Sequence, residues 1–358
     1  MKALIFPSYN CNLKCSHCFN PDKFRFAGAG GLEEWQDAIL TLAKLGATKL
    51  ILIGGEPMMV PYLPKLLTFA LKLQFKKDGV FYNPYKFVSI QTNGTVENST
   101  LFKTIEDEGL NKNKIGFTVS LEGSTAEEND RVRGKGNFEQ ALKTAKKWRS
   151  NGYNVTIRST IFEWNDVVKV AKLAKYFDFN FTAVRLLPSG RSEKNSEGNL
   201  PSEEKLYRVY SDLSKLDSES ETSIVCEDSP YYLYNERLRN KYLEVIKKNG
   251  SICPAISFQE LAVDPLGVVS VCHMTLDPSK YPDWIVGNIF KDDFNTLKQN
   301  WVKVVSKLKS KPLNTKCSNC KYSSICNGGC TFYSVNSQFR GDNYCPINKM
   351  NLNNMGVI

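Results

Sequence analysis

Short apolar runs alternate with amphipathic stretches from the N-terminus to about residue 191. The apolar runs are rich in β-branched and aromatic residues, and the stretches between them space their apolar positions as helices do. Six runs predict strands at Ala3–Phe6, Lys49–Ile53, Phe87–Gln91, Gly116–Ser120, Asn154–Ser159 and Thr182–Leu187. Repeated strand–helix units of this kind form a parallel sheet covered by helices. The pattern therefore predicts an α/β fold.

The first predicted helix, Leu32–Leu45, shows how the strands are connected. Trp35, Ala38 and Leu42 fall on one helical face, and Gly46 provides a C-terminal stop. Six units are too few to close an eight-stranded barrel, so we expect an open, partial (β/α)6 barrel of the TIM type. In such barrels the functional residues lie on the loops that follow the strands.

The remainder of the chain divides into two segments. Ser189–Glu204 is polar and predicts a surface linker, and Glu203–Leu216 predicts a helix. Cysteine then becomes frequent towards the C-terminus. We therefore expect a barrel domain over residues 1–200, a helical bridge over 201–250 and a cysteine-rich domain over 251–358.

Composition places the chain among globular proteins that are not exported. Its 358 residues, 42% of them hydrophobic, can bury a sizeable core. No run reaches the roughly eighteen apolar residues of a membrane span, and Met1–Asn10 lacks the apolar stretch of a signal peptide. We therefore expect a cytoplasmic protein. In that compartment an odd number of cysteines, 11, favours reduced, metal-binding thiolates over disulfides.

Three cysteines, Cys11, Cys15 and Cys18, directly follow the first predicted strand. Their spacing lets three thiolates face one metal site from a single loop, with no fourth ligand nearby. An iron–sulfur cluster normally takes four cysteines. Three would leave one iron open to a bidentate ligand, such as the amine and carboxylate of an amino acid. On spacing alone, a zinc knuckle that borrows a distant ligand is the alternative.

This motif, placed after the first strand of a βα array, resembles that of the radical S-adenosylmethionine (SAM) superfamily. The CxxxCxxC motif of the family is matched by Cys11, Cys15 and Cys18, with the aromatic residue His17 before the last cysteine. The resemblance implies that the cysteines bind a [4Fe–4S] cluster that passes an electron into SAM. It also implies that SAM then yields methionine and a 5′-deoxyadenosyl radical, which abstracts hydrogen from a substrate.

The loop after the second strand matches a SAM-binding position of the family. It consists of Gly54, Gly55, Glu56 and Pro57. The glycines allow close approach of the backbone, and Glu56 can accept a hydrogen bond from the methionyl ammonium. The alternative is a plain turn with a surface glutamate.

Four residues on later strands or directly after them are further candidates. Ser120 and Glu122 match positions at which relatives contact the ribose or the methionyl carboxylate, and Leu187 matches an adenine contact. Arg158 places a charge within the fifth strand, where it either binds an anionic ligand or forms a salt bridge with a carboxylate of the barrel. The segment Thr92–Gly94 is either a polar loop on the SAM side or a turn that caps a helix.

Seven cysteines occupy the last third of the chain, and their order and gaps resemble the SPASM extension of radical SAM enzymes. That extension carries two auxiliary [4Fe–4S] clusters. The resemblance assigns one cluster to Cys317, Cys320, Cys326 and Cys345, and the other to Cys253, Cys272 and Cys330. Three [4Fe–4S] clusters and SAM are therefore the expected cofactors. Two structural zinc sites are the alternative, because a CxxC pair is also common in zinc sites.

Cys226 and His273 are the candidate catalytic residues. Cys226 has no place in the family pattern; it could complete the three-cysteine set, return a hydrogen atom to a substrate radical, or be an inert buried side chain. His273 directly follows Cys272, where sulfatase-maturing relatives have an aspartate that acts as the base. The difference makes oxidation of serine or cysteine to formylglycine doubtful.

The resemblance implies oxidation, cross-linking or epimerisation of a ribosomal peptide or protein. The alternative is a small polar molecule, such as a sugar or aminocyclitol, that is oxidised or epimerised. Only ten residues precede Cys11, so a leader peptide is expected to bind elsewhere or through a separate protein. An electron donor such as flavodoxin or ferredoxin is also expected, whereas a membrane partner is not.

A zinc-stabilised nucleic-acid-binding module is the competing hypothesis from another class of protein. The formal charge of +10 suits it, but cluster-bound thiolates would bring the charge nearer to about +6. The basic residues also lie on amphipathic helices and lack the interleaved aromatics of a nucleic-acid surface, so this partner is not expected. Colour separates the two hypotheses, because iron–sulfur proteins are brown and zinc proteins are colourless.

Overall fold

The computed structural model describes residues 1–20, 28–228, 231–235, 251–320, 322–335, 337–342 and 345. The strands within these residues are β1 Lys2–Ile5, β2 Lys49–Leu52, β3 Phe75–Lys77, β4 Val80–Tyr82, β5 Phe87–Thr92, β6 Ile115–Ser120, β7 Asn154–Ile161, β8 Asn180–Arg185, β9 Ile224–Cys226, β10 Glu260–Val263, β11 Val268–Ser270 and β12 Ile285–Asn288. The helices are α1 Leu32–Lys44, α2 Leu63–Lys72, α3 Ser99–Asp107, α4 Ala126–Arg133, α5 Asn137–Ser150, α6 Val167–Tyr176, α7 Glu203–Ser218, α8 Tyr231–Tyr234, α9 Phe294–Ser310, α10 Thr315–Ser318 and α11 Ser323–Cys326.

Ten strands form one sheet in the order β12-β11-β10-β1-β2-β5-β6-β7-β8-β9. The strands from β10 to β9 run parallel, and β11 and β12 extend the edge in antiparallel orientation. The expected partial barrel is confirmed, with β1, β2, β5, β6, β7 and β8 as its six predicted strands. The last of these begins two residues earlier than predicted, at Asn180.

Two parallel strands of this sheet were not predicted. β9 pairs with β8, and β10 pairs with β1 in the register Ala3↔Leu261. Both strands lie outside the repeated strand–helix units from which the six barrel strands were predicted. Through β10 the main sheet crosses the expected domain boundary at residue 251, and the division into three domains stays a prediction.

The two faces of the barrel strands have different environments. Successive side chains of a strand point to opposite faces. On β7, Val155, Ile157 and Ile161 belong to the main apolar core beneath the helices. Arg158 and Thr160, between them, line a cavity inside the barrel. On β7 the helices therefore cover an apolar outer face, while the inner face is polar. Elsewhere Leu4 of β1 and Ala262 of β10 belong to a second apolar cluster.

The helices follow the sequence pattern closely. α1 begins with Glu33 and Glu34 in its first turn, and Glu34 accepts a hydrogen bond from the Gly31 N–H at 2.7 Å. Its apolar face is buried, as predicted. The helix predicted after the polar segment is confirmed as α7. In the part of the chain that the structure describes, no helix is long and apolar enough to cross a membrane.

Candidate active site

A cavity of about 680 Å³ extends along the inside of the barrel. One end is lined by residues that follow the strands, including Gly54 and Asn93. The other end is lined by Lys2 and Lys49, which begin β1 and β2. Because these strands are parallel, the cavity runs from the C-terminal to the N-terminal ends of the strands.

The first cysteine motif lies at the C-terminal end of the barrel, where Cys11, Cys15 and Cys18 line the cavity. The Cys18 N–H donates to the Cys15 carbonyl oxygen at 3.3 Å, which folds the loop into a turn. Burial, with a smaller effect of the nearby Cys15 and Cys11, raises the pKa of the Cys18 thiol to about 11. Three half-buried thiols in one loop fit a cationic metal group, which stabilises the ionised form of its ligands.

Hydrogen-bond donors are directed at the sulfur atoms of this motif. The Leu13 N–H and Asn93 Nδ2 lie 3.4 and 3.8 Å from Cys11 Sγ. Arg133 Nη1 lies 3.9 Å from Cys15 Sγ. Hydrogen bonds to cysteine sulfur help to set the reduction potential of iron–sulfur clusters. The loop and its surroundings therefore fit an iron–sulfur cluster.

Glu122 connects this motif to the loop after β6. Its Oε1 atom lies 2.6 Å from Arg133 Nη2 and 3.0 Å from His17 Nε2. Burial favours a raised pKa for Glu122, but Arg133 and His17 outweigh it and lower the pKa to about 2. Both Glu122 and Ser120 line the cavity, as their expected SAM contacts require. Arg133 was not singled out by the sequence, and His17 only as the aromatic residue of the motif.

The loop after β2 packs tightly against the start of the cysteine motif. A Cβ atom on Gly54 would lie 2.4 Å from the Ser8 carbonyl oxygen, and one on Gly55 only 2.0 Å from that of Asn10. The N–H groups of Gly55 and Glu56 donate to these same oxygens, each at 2.8 Å. Only glycine permits this approach, so both glycines position the loop. Both also line the cavity.

Glu56 is buried beneath that loop. Its carboxylate accepts hydrogen bonds from the Met58 N–H at 3.0 Å, the Thr92 hydroxyl at 2.7 Å and the Asn93 N–H at 2.8 Å. Burial raises the pKa of Glu56, and these hydrogen bonds oppose the rise. Among the described residues, Thr92 and Asn93 line the cavity, whereas Glu56 and Pro57 do not. Glu56 therefore supports two cavity residues, and its expected contact with the methionyl ammonium stays a prediction.

Arg158 forms an ion pair inside the barrel. Its Nη1 atom lies 2.6 Å from Glu227 Oε2, immediately after β9. Although burial favours a raised pKa for Glu227, Arg158 and Lys2 lower it to about 2. Of the two interpretations of Arg158, the salt bridge agrees with this geometry. Arg158 and Leu187 both line the cavity, and the adenine contact of Leu187 stays a prediction.

Cys253, Cys272 and Cys330 line another part of the same cavity. Burial raises the pKa of the Cys272 thiol, and Glu260 and Cys330 act in the same direction. The pKa of the Cys330 thiol is also raised, first by burial and then by the nearby Cys253. The structure therefore brings together these three cysteines, close to the start of β10.

The other four C-terminal cysteines form a separate group. Burial raises the pKa of the Cys326 thiol, and Cys345, Cys317 and Cys320 are among the nearby groups that raise it further. The Cys320 N–H donates to the Cys317 carbonyl oxygen at 3.2 Å. At Gly341, where φ is +142°, a Cβ atom would lie 2.9 Å from Cys317 Sγ. The chain thus passes too close to this group to carry a side chain there.

A buried ionic network connects the barrel to the cysteine-rich segment. Arg185, the last residue of β8, places Nη2 2.7 Å from Asp228 Oδ1 and 2.5 Å from Asp342 Oδ2. The Tyr210 hydroxyl donates to Asp228. The guanidinium group also lies 3.9 Å from the centre of the Tyr333 ring. No sequence pattern pointed to this network, because its members are far apart in the chain.

Cys226 lies at the end of β9 and is fully buried. Its side chain belongs to the main apolar core, with Ile224 on the same face of the strand. The next residue, Glu227, lines the cavity, whereas Cys226 is not among the described residues that do. Burial raises the pKa of the Cys226 thiol well above its usual value. These features favour the interpretation of Cys226 as an inert buried side chain.

His273 lines the cavity and has a carboxylate partner. Its Nδ1 atom lies 2.8 Å from Glu260 Oε1, and Lys2 Nζ lies 3.0 Å from Glu260 Oε2. Although burial favours a raised pKa for Glu260, Lys2 and His273 bring it below its usual range. The ring of His273 also packs edge-on against Phe19, with the ring centres 5.9 Å apart. This arrangement fixes the ring beside Cys272, and a catalytic role of His273 stays a prediction.

The first residues of Ser189–Glu204 pack on the cysteine motif. The Arg191 N–H donates to the Cys18 carbonyl oxygen at 2.8 Å, and Arg191 Nη1 donates to that of Cys15 at 2.7 Å. Ser192 is buried there as well. The prediction of a surface linker is therefore wrong for these residues, because backbone hydrogen bonds to the motif hold them in place.

Comparison with known proteins agrees with this site. The profile of the radical SAM superfamily matches residues 5–174. Fe-coproporphyrin III synthase of Methanosarcina barkeri is 26% identical over 352 residues, covering 89% of this chain and 80% of that protein. The antilisterial bacteriocin subtilosin biosynthesis protein AlbA of Bacillus subtilis is 26% identical over 362 residues, covering 94% of this chain and 69% of that protein.

The fold is also similar to that of Streptococcus suis SuiB bound to its precursor peptide SuiA. The TM-score is 0.74 at 17% identity, covering 96% of this chain and 75% of that chain. Residues 5–174 of this chain are therefore identified as a radical SAM domain. The radical SAM match indicates an enzyme that uses SAM and [4Fe–4S] chemistry.

Proposed function

We propose that this enzyme uses SAM and three [4Fe–4S] clusters to modify a ribosomal peptide or protein oxidatively. The observation that carries the proposal is the single cavity shared by two cysteine groups, Cys11, Cys15 and Cys18 at one place and Cys253, Cys272 and Cys330 at another. A substrate in this cavity can contact both groups. That arrangement suits a reaction in which hydrogen is removed at one site and an electron leaves at the other.

The first site is assigned to the motif at Cys11 and the loops around it. Bound there, the cluster supplies the electron that cleaves SAM into methionine and a 5′-deoxyadenosyl radical. Gly54, Gly55, Ser120 and Leu187 line the cavity, where each can contact SAM. Glu122 holds Arg133 and His17 in place beside the cysteines.

The second site is assigned to Cys253, Cys272 and Cys330, which would hold an auxiliary cluster that supplies an electron acceptor. Three cysteines leave a coordination position for substrate or solvent. We assign to His273 the uptake of a proton from the substrate, and its contact with Glu260 supports this by fixing the orientation of its ring. The third cluster is assigned to Cys317, Cys320, Cys326 and Cys345.

A peptide substrate is supported by the kinds of protein that this chain resembles. AlbA takes part in the biosynthesis of a bacteriocin, and SuiB binds a precursor peptide. These relatives favour a peptide over a sugar or aminocyclitol. An electron donor of the flavodoxin or ferredoxin type completes the proposed system.

A tetrapyrrole is a second candidate substrate. It is favoured by one observation, the 26% identity to Fe-coproporphyrin III synthase over 89% of this chain. The two candidates differ in a simple measurement. A tetrapyrrole that enters the cavity should change its visible absorption on binding or turnover, and a peptide has no such absorption.

The proposed function is tested with the reconstituted enzyme under anaerobic conditions. The enzyme, SAM and a reductant are incubated with each short peptide encoded beside its gene, and in parallel with iron coproporphyrin. We expect 5′-deoxyadenosine together with a peptide that has lost two hydrogens. Modification of the porphyrin with no change in any peptide would establish the second candidate instead. 5′-Deoxyadenosine without a change in either would contradict both.

A further inference from the structure

The cavity opens at the N-terminal ends of the barrel strands, where lysines begin several neighbouring strands. We infer that this opening binds an acidic segment of the substrate peptide. We name it the cationic mouth and define it by Lys49, Lys86 and Lys114. The inference rests on the proposed peptide substrate and adds a requirement on the sequence of that peptide.

The three lysines lie at the starts of three adjacent strands. Lys49 is exposed, begins β2 and lines the cavity. Lys86 precedes β5, and its N–H donates to the carbonyl oxygen of Thr48, another lining residue, at 2.8 Å. Lys114 directly precedes β6, which pairs with β5 in the register Val88↔Ile115. Neighbouring strands are about 4.8 Å apart, so the three lysines form an arc along the N-terminal edge of the sheet. Of the three, Lys49 lines the cavity itself.

The charges of the arc are not compensated by the protein. Lys2, the register partner of Lys49 on β1, is paired with Glu260 at 3.0 Å. In contrast, no carboxylate among the described residues lies within ion-pair distance of Lys49, Lys86 or Lys114. Like charges on adjacent strands repel each other. Carboxylates of a bound ligand would relieve this repulsion, so the mouth favours an anionic segment.

The length of the cavity relates the acidic segment to the modified residue. Five positions separate Lys49 from Gly54, which lines the SAM end. At about 3.3 Å for each residue of a strand, this distance is roughly 17 Å. An extended peptide also needs about five residues to span it. The substrate is therefore expected to carry acidic residues about five positions from the residue that is modified.

Binding of a defined acidic probe to the holoenzyme tests the mouth directly. The probe is fluorescein-labelled hexaglutamate, and its anisotropy is measured at low salt. The combined variant Lys49→Gln, Lys86→Gln, Lys114→Gln should bind roughly tenfold more weakly than wild type, since three charge contacts are removed. The matched control is Lys65→Gln, Lys143→Gln, Lys172→Gln, which removes three exposed lysines from α2, α5 and α6. It should keep the wild-type affinity.

Lysine acetylation of the wild-type enzyme gives a second measurement that needs no variant. Hexaglutamate should protect Lys49, Lys86 and Lys114 from acetylation, as measured by mass spectrometry, and leave the control lysines reactive. Equal loss of affinity in the two variants, or equal protection of both lysine sets, would overturn the inference.

Failure of the mouth and failure of the proposed function give different results. If the mouth variant and the control variant modify a peptide with the same KM, the inference about the mouth is contradicted. The proposal of a peptide substrate then still stands. The enzyme could instead bind hexaglutamate at the mouth but modify only a porphyrin. That result would contradict the proposed peptide substrate, and with it the role inferred for the mouth.

Discussion

At the scale of single residues, the first cysteine motif is expected to serve only the SAM-binding cluster. Changing Cys11, Cys15 and Cys18 together to alanine should leave about eight irons per chain, because two four-iron clusters have other ligands. The variant should make no 5′-deoxyadenosine. Iron analysis and chromatography of the SAM products measure both outcomes. Iron near four per chain would contradict the assignment of two auxiliary clusters.

Glu56 is expected to act on stability as well as on SAM binding. In Glu56→Gln, one oxygen that accepts a hydrogen bond is replaced by an amide NH2 facing a donor. We expect the free energy of unfolding to fall by about 1.5–3 kcal/mol, as is typical for hydrogen bonds to charged groups. SAM affinity should fall with it, because Thr92 and Asn93 lose their support.

The matched control is Glu97→Gln, which removes an exposed carboxylate paired with Lys147. Exposed ion pairs contribute little to the free energy of unfolding. The melting temperature and SAM affinity of Glu97→Gln should therefore equal those of wild type. Calorimetry measures both quantities. Unchanged values in Glu56→Gln would show that the three hydrogen bonds of its carboxylate are dispensable.

Cys226→Ala is expected to behave like wild type in its chemistry. The side chain lies in the core on the outer face of β9, so iron content, SAM cleavage and product yield should be unchanged. Only a small loss of stability, about 1 kcal/mol, is expected from the removed sulfur. Cys330→Ala is the contrasting variant and should lose auxiliary-cluster iron. Altered iron or an uncoupled product in Cys226→Ala would restore a functional role for this thiol.

Local spacing was enough to find the residues that act through short motifs. The loop at Cys11 and the glycines Gly54 and Gly55 are recognisable because each motif lies within a few consecutive residues of the sequence. Arg133 and Arg191 were missed, although both contact the cysteine loop, from 118 and 176 positions away. Among 47 lysines and arginines, no local signal separates these two from solvated charges.

At the scale of structural elements, Arg185 is expected to hold the end of β8 against the cysteine-rich segment. Arg185→Met would leave Asp228 and Asp342 as two uncompensated carboxylates in a buried site. Removal of one partner from a buried ion pair costs about 3–5 kcal/mol. Chemical unfolding measures this loss, and Arg185→Lys should restore part of it.

The control for this prediction is Arg149→Met, which breaks an exposed pair with Asp178. It should change stability little. Asp342 also lies near Cys326 and Cys330, whose thiol pKa it raises. We therefore expect Arg185→Met, but not the control, to shift the electron paramagnetic resonance signals of the auxiliary clusters. Equal stability of the two variants would contradict the role of Arg185.

Element prediction succeeded where the pattern was long. α1 and α7 each have several turns of apolar spacing, and the six main strands are bounded by clear turns. β9 and β10 were missed because they lie outside the repeated strand–helix units, although β10 is as long as β1 and β2. Their strand conformation depends on pairing with distant neighbours, which short-range patterns do not contain.

At the scale of the whole molecule, the cavity was beyond what the sequence could predict. Residues as far apart as Lys2, Arg158 and Phe332 line it. The charged pairs within it, such as Lys2 with Glu260, come from opposite ends of the chain. The sequence indicated a barrel and two groups of cysteines. It did not indicate that both groups line the same cavity inside the barrel.

The pairing of β10 with β1 has a consequence for how the chain is made. Every partner in β10 lies 258 positions further along the chain than its counterpart in β1. During synthesis, β1 therefore emerges long before its neighbour on that side exists. An unpaired strand edge is a template for intermolecular pairing and aggregation. The ribosome-bound protein is vulnerable until its last third appears, so slow release or chaperone capture should improve its recovery.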